Sequence, residues 1–221
     1  MRYYPVNLDI LDRPCLVIGG GAVGARKVAT LLDCGARITI VSPRVDERLH
    51  QLAAAGAVRL HRRAYQAADL SGMFLVIGAT DDERLNTRIK ADADRLGVLC
   101  NIADRPKECH FILPSVINRG DLIIAVSTSG KSPAFAKHLR RELEVQFGPE
   151  YEIFLRLMGA IRDRLLSREH APEAHKPVFE RLIAGGLLEM VKAGQTEKIN
   201  ALLLQVLGSG YDTAALIGLT P

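Results

Sequence analysis

Tryptophan is absent from this chain, and aromatic residues make up only 5% of its 221 positions. Single-stranded nucleic acids are held largely by stacking bases on aromatic rings, and no Lys/Arg run here exceeds two residues. A nucleic-acid binder is therefore disfavoured, although the net charge is +4 and the pI 9.0. No apolar run approaches the roughly 18 residues that mark a membrane-spanning helix. No apolar leader core follows Met1-Arg2-Tyr3-Tyr4-Pro5. Cysteine is sparse: Cys15, Cys34, Cys100 and Cys109 are scattered, with no C-x-x-C. That usage predicts small core fillers in a reducing, cytoplasmic setting. Cys109-His110 has no metal-site spacing and no second cluster to support it, so no dedicated metal site is expected.

What is present is an ordinary globular composition, 48% apolar and 24% charged, organised around one glycine-rich stretch. Cys15 to Ile18 reads as a buried strand, and Gly19-Gly20-Gly21-Ala22-Val23-Gly24 leads into a helix-like segment. This is G-x-G-x-x-G with a strand before and a helix after, the context that gives the motif meaning. Gly19 suits the tight turn, Gly21 a close approach of pyrophosphate to backbone, and Gly24 close helix–strand packing. The helix would point its free N–H groups and positive end at the phosphates.

The pattern continues as alternating strands and helices. Strands are expected at 15–18, 37–41, 58–61, 74–79 and 98–102, and helices at 22–34, 45–55 and 82–96. Gly35, Gly56 and Gly97 serve as helix stops. Ser42-Pro43 is expected to end the second strand, and Tyr4 to Leu8 forms a lead-in strand or edge segment. Alternation of this kind predicts a parallel, Rossmann-type α/β sheet, order 3-2-1-4-5. After Asp104 the pattern changes. Phe111–Ile117 and Leu122–Ser127 read as a hairpin, or as the same pairing exchanged between two subunits. Ser132-Pro133 opens a helix to Phe147, and the remainder is helical, with a linker at 168–177. The expected organisation is a Rossmann domain at 1–112, a small β-α segment at 113–148 and an α-helical C-terminal domain at 149–221.

Ligands of open α/β sheets bind outside the carboxyl ends of the strands. The polar segments there are 19–24, Ser42 to Arg44, Thr80 to Asp82, and Asn101 to Lys107. Thr80-Asp81 reads equally well as a helix cap. Asp104 can act as a general base, or it can be a loop aspartate paired with Arg105 or Lys107. The loop Ser127 to Ser132, with Lys131 inside it, suits a carboxylate, or is a plain capped helix start. An NAD site usually carries an acid about 20 residues past the glycines, where this chain has Ser42-Pro43-Arg44. That tilts toward NADP, unless Ser42 and backbone groups satisfy the ribose and Arg44 is a solvated charge.

The runs at 15–27, Ala-Thr-Asp-Asp at 79–82, Cys-Asn-Ile-Ala-Asp at 100–104, Phe-Ile-Leu-Pro-Ser at 111–115 and Ala-Val-Ser-Thr-Ser-Gly-Lys-Ser-Pro at 125–133 resemble the precorrin-2 dehydrogenase/sirohydrochlorin ferrochelatase family, the N-terminal module of bacterial siroheme synthases. The resemblance spans nearly the first 150 residues in order. It implies NAD-dependent oxidation of precorrin-2 to sirohydrochlorin, with Fe²⁺ insertion as a second activity of some members. It implies NAD as cofactor, contacted by Ala22, Val23, Pro43 and Arg44; the glycine motif adds Gly19, Gly21 and Gly24 to the cofactor-binding residues, and the strand-end segments add Ser42 and Thr80. It makes Asp104 the catalytic base and gives Thr128 and Lys131 a role in binding substrate, to which the segment after the fifth strand adds Asn101; Thr128 stands where many relatives carry serine. It also implies a homodimer built around the segment after the Rossmann unit, acting on a small molecule bearing eight carboxylates. The alternative of a different class is an NAD(H)-sensing regulatory module that needs no catalytic base.

Overall fold

Cys15, Leu16, Val17 and Ile18 have at most 2% of their surface exposed. Successive side chains of a strand face opposite ways, and here both ways lead into apolar cores. Cys15 and Val17 pack with Val28, Leu31 and Leu49, while Leu16 and Ile18 pack with Leu70, Ile89 and Ala93. A strand covered on both faces needs the uninterrupted apolar run that the sequence shows.

The computed structural model describes residues 2–168 and 172–218, which divide into two compact units, Met1–Leu113 and Pro114–Pro221. The first unit runs β1 (Pro14–Gly20), α1 (Ala22–Asp33), β2 (Arg37–Val45), α2 (Glu47–Ala54), β3 (Arg59–His61), β4 (Leu75–Gly78), α3 (Glu83–Leu96) and β5 (Leu99–Ile102). All strands are parallel, in the order β3-β2-β1-β4-β5, so the expected Rossmann-type sheet is the observed one. Helix ends follow local chemistry. The Asp46 and Asp82 carboxylates cap α2 and α3, and Gly97 closes α3 in the left-handed region at φ +67°.

Two expectations fail in this unit. β2 does not stop before Ser42-Pro43 but continues to Val45. Its pairing with β1 shifts register between Ile18 and Gly20, so that Gly20 pairs with Val45. Such an irregularity accommodates a proline, which has no N–H for a ladder. Tyr4, Val6 and Leu8 are 83%, 65% and 45% exposed and form no strand, because an alternating pattern without a partner strand makes no ladder.

The second unit opens with β6 (Ser115–Arg119) and β7 (Leu122–Val126), an antiparallel pair within the chain that turns through Gly120-Asp121. Gly120 adopts φ +62°, as a two-residue hairpin loop requires. Helices α4 (Pro133–Gln146), α5 (Glu150–Arg168), α6 (Pro172–Ala184), α7 (Leu187–Lys192), α8 (Thr196–Leu207) and α9 (Thr213–Ile217) follow. Ser132 caps α4 by accepting from Phe135 N at 3.2 Å, with Pro133 in the first helical position. Leu157, Ile161, Leu182, Leu187, Leu203 and Tyr211 form the helical core. The expected linker at 168–177 is shorter than the sequence suggests. α6 already begins at Pro172, and residues 169–171 lie outside the described residues. Among the described residues, no helix is long and apolar enough to cross a membrane.

Candidate functional site

The turn from β1 to α1 owes its shape to missing side chains. Gly19 sits at φ +114°, and a Cβ there would lie 2.2 Å from the Ala79 carbonyl oxygen. A Cβ on Gly24 would lie 2.2 Å from the Gly19 oxygen, and one on Gly20 2.3 Å from the Arg44 oxygen. Gly21 differs, since a Cβ there would meet nothing within 4 Å. Three glycines thus let backbones touch, and the fourth faces open space. No side chain caps α1 and no acidic residue lies in its first turn, so the N–H groups of Ala22, Val23 and Gly24 have no intrahelical acceptor. Free donors, a helix dipole and an open glycine together make an anion cradle that fits a dinucleotide pyrophosphate.

At the end of β2, Ser42 is buried and its hydroxyl donates to the Arg44 oxygen at 2.5 Å, whereas Pro43 and Arg44 are exposed. The Asp46 backbone N–H donates to the Gly20 oxygen at 2.7 Å, which ties this strand end to the glycine turn. At the end of β4, Thr80 Oγ1 accepts from Asp82 N at 2.9 Å, and the Thr80 oxygen accepts from Asn86 Nδ2 at 2.9 Å. Asp82 is therefore a helix cap, and Thr80 keeps its hydroxyl proton for a ligand.

Beyond β5 the chain turns through Asp104, a non-glycine residue at φ +60°. Its side chain is exposed, and among the described residues its carboxylate has no hydrogen-bond or ion-pair partner. Arg105, next in sequence, pairs instead with Glu83 and Glu108. The reading of Asp104 as one half of a surface pair with Arg105 or Lys107 thus fails. Lys27, half-buried on α1, was missed by motif reasoning. Burial, then Arg26, holds its ammonium below the usual lysine range, while Asp104 and Cys109 pull the other way. Its only signal in the sequence is its place one helical turn beyond Gly24.

Cys109 and His110 clasp the outer edge of β5. Cys109 Sγ accepts from Ile102 N at 3.1 Å and lies 3.1 Å from the Arg105 oxygen, so it closes the loop that carries Asp104. His110 N donates to the Cys100 oxygen at 2.9 Å, and its ring Nδ1 accepts from Cys100 N at 3.1 Å. Nε2 therefore carries the ring proton and faces Asp94 at 2.6 Å. Asn101 is buried, and its amide donates to the Phe111 oxygen at 2.9 Å and toward Cys109 Sγ at 3.6 Å. Its NH₂ is thereby occupied by the fold. Desolvation pushes the Cys100 thiol up to about 12 and raises that of Cys109, which suits inert packing groups rather than nucleophiles. Among the described residues, no group of three or more His, Cys, Asp or Glu could hold a metal ion.

The second unit holds the remaining two expected residues, Thr128 and Lys131. Thr128 Oγ1 accepts from Ser132 N at 3.1 Å, and the Thr128 oxygen accepts from Lys131 N at 2.9 Å. Ser129 and Gly130 lie at φ +53° and +78°. Lys131 is exposed with no ion-pair partner among the described residues, so this turn offers an ammonium and a threonine hydroxyl proton.

A family model described as "Putative NAD(P)-binding" matches residues 6–115, and one described as "Sirohaem biosynthesis protein central" matches 119–146. The siroheme synthase of Methylococcus capsulatus is 33% identical over 100% of this chain and 48% of its own length. That of Nitrosospira multiformis is 39% identical over 92% of this chain and 44% of its own length. The chain is a siroheme synthase homologue. It spans about half the length of the curated relatives it matches. A solved structure titled "SirC, precorrin-2 dehydrogenase" matches with a TM-score of 0.76 and 26% identity, covering 92% of this chain and 98% of that one.

Proposed function

We propose that this siroheme synthase homologue dehydrogenates precorrin-2 to sirohydrochlorin. NAD⁺, when bound, supplies the hydride acceptor. Gly21 and the N–H groups of Ala22, Val23 and Gly24 hold the pyrophosphate; Gly19 shapes the turn. Ser42, Pro43, Arg44 and Thr80 border the remainder of the cofactor. Asp104 takes the proton released as the macrocycle loses a hydride, and the electron pair of the bond to that proton enters a new double bond. The observation that carries this reading is the unpaired Asp104 carboxylate at the strand end beyond β5, in the same unit as an open anion cradle beyond β1.

Asn101 contributes through its Oδ1, and Thr128 and Lys131 bind substrate carboxylates. Residues 1–112 form the NAD-binding domain, 113–148 the dimerisation and substrate segment, and 149–221 the helical domain. Homodimerisation is supported by apolar groups left open on that middle segment: Val116, Ile123 and Phe135 are 44%, 52% and 55% exposed. Fe²⁺ is a second substrate of the same base, which would accept pyrrole protons during insertion. The enzyme works in the cytoplasm, where NAD⁺ is at hand.

The decisive test supplies purified protein with precorrin-2 and NAD⁺ and follows NADH and sirohydrochlorin absorbance. Asp104→Asn keeps a residue that tolerates the left-handed region. It should lower turnover by about 100-fold or more while NAD⁺ affinity stays within about threefold, well under 1.4 kcal/mol. Wild-type turnover in the variant would refute the catalytic role of Asp104, and NAD⁺ binding without turnover in the wild type itself would favour a sensing module. The same variant should slow Fe²⁺ insertion wherever the wild type performs it.

A further inference from the structure

We infer that Arg44 makes the dinucleotide site accept a 2′-phosphorylated cofactor, NADP⁺, alongside NAD⁺. The inference rests on the dinucleotide reading of the glycine turn and concerns what lies beside it. In doubly wound folds an acid at the end of the second strand binds the ribose 2′-hydroxyl of NAD, and that same charge repels a 2′-phosphate. Here each candidate for that role already makes a hydrogen bond within the fold. Asp46 Oδ1 accepts from Arg48 N at 2.8 Å as the cap of α2. Glu47 lies in the first turn of α2, with Gln51 Nε2 at 3.5 Å from its Oε1. The Ser42 hydroxyl proton is held by the Arg44 oxygen, and Ser42 itself is 7% exposed.

Arg44 is the group left over. It is exposed, and among the described residues it forms no ion pair. Its backbone is not free to drift: the next residue, Val45, pairs with Gly20, and the Arg44 oxygen lies where a Gly20 Cβ would come within 2.3 Å. The backbone of Arg44 is thus anchored one residue from the phosphate cradle, and its guanidinium is free to reach a neighbouring anion. An arginine fork matches phosphate geometry and carries a permanent charge.

The test is calorimetric titration of NAD⁺ and NADP⁺ into wild type, Arg44→Ala and Arg44→Lys, without tetrapyrrole substrate. Wild type should bind NADP⁺ within about tenfold of NAD⁺, and Arg44→Ala should lower the NADP⁺-to-NAD⁺ affinity ratio by about tenfold or more. Arg44→Lys should restore part of that ratio, and added salt should weaken NADP⁺ more than NAD⁺. A wild-type preference for NAD⁺ beyond tenfold, or a ratio that Arg44→Ala leaves unmoved, overturns the inference while the NAD reading stands. Binding of neither dinucleotide overturns both.

Discussion

The carboxyl ends of β1 and β5 are built by opposite means. Beyond β1 the chain turns because side chains are missing: Gly19, Gly20 and Gly24 let backbone atoms approach to distances that a Cβ would forbid, and Gly21 opens on empty space. Beyond β5 the chain turns because side chains are present. The Cys109 thiol and the His110 ring take the N–H groups of Ile102 and Cys100 that a neighbouring strand would otherwise accept. Asp94 and Asn101 then brace the ring and the loop. The first end makes a cradle with no functional groups of its own, and the second carries a carboxylate on a clasped loop. Binding an anion through backbone donors requires bare backbone, whereas aiming one side chain requires others to hold its loop.

The largest effect should come from refilling the first end. Gly19→Ala forces a Cβ against the Ala79 carbonyl at an unfavourable φ, where the neighbouring backbone cannot give way. We expect a loss of about 3 kcal/mol or more in urea unfolding. Gly21→Ala puts the same methyl group into open space at φ −83°. It should change stability by no more than about 1 kcal/mol yet weaken NAD⁺ binding by about tenfold or more, the worth of one good phosphate contact. Equal destabilisation by the two substitutions would erase the distinction between packing glycines and the binding glycine.

The second end should be more forgiving. Cys109→Ala removes the acceptor for Ile102 N–H and leaves that donor without a partner on a buried residue. A cost of about 1–3 kcal/mol follows, with Cys109→Ser recovering part of it through its hydroxyl oxygen. If the clasp also aims Asp104, turnover should fall in Cys109→Ala with little change in NAD⁺ affinity, and recover in Cys109→Ser. An Ala variant as stable as wild type would mean that the thiol is mere filler.

The same contrast explains what could be read from the chain alone. The glycine cradle and the caps at Asp82 and Ser132 are local, because they follow from residue type and spacing within a few positions, and the strand order follows from the alternation of strands and helices along the chain. Other long-range arrangements were not legible. β2 passes through Pro43 because β1 shifts register opposite it, a property of the partner strand. Asp104 is free because Arg105 turns to Glu83, 22 residues upstream. The role of Cys109-His110 depends on the strand edge it lies against, and no spacing rule marks it. α9 is only five residues long, too short to display a helical period.

The smallest predicted effect tests whether the clasp is cooperative. His110 binds Cys100 N–H through Nδ1 only while Nε2 holds the ring proton and Asp94 accepts it. A second proton on the ring would set two donors face to face. The Lys90 ammonium, 2.5 Å away, and His110 hold the Asp94 carboxyl below its usual range against a burial effect of opposite sign. A carboxylate with a lowered pKa contributes above its unfolded value and loses that contribution as pH falls through the lowered one. Asp94→Asn removes the charge at neutral pH. Because Asp94 is half exposed, the loss should resemble that of a surface pair, speeding hydrogen exchange at the Cys100 amide by about two- to fivefold. Ile102 N–H, held by the neighbouring thiol, should accelerate with it if ring and thiol open together. The central-strand amides of β1 and β4 should not move in either case, since their partners lie within the sheet. Acceleration at Cys100 alone would mean that His110 and Cys109 are two independent latches, and that only the thiol bears on Asp104.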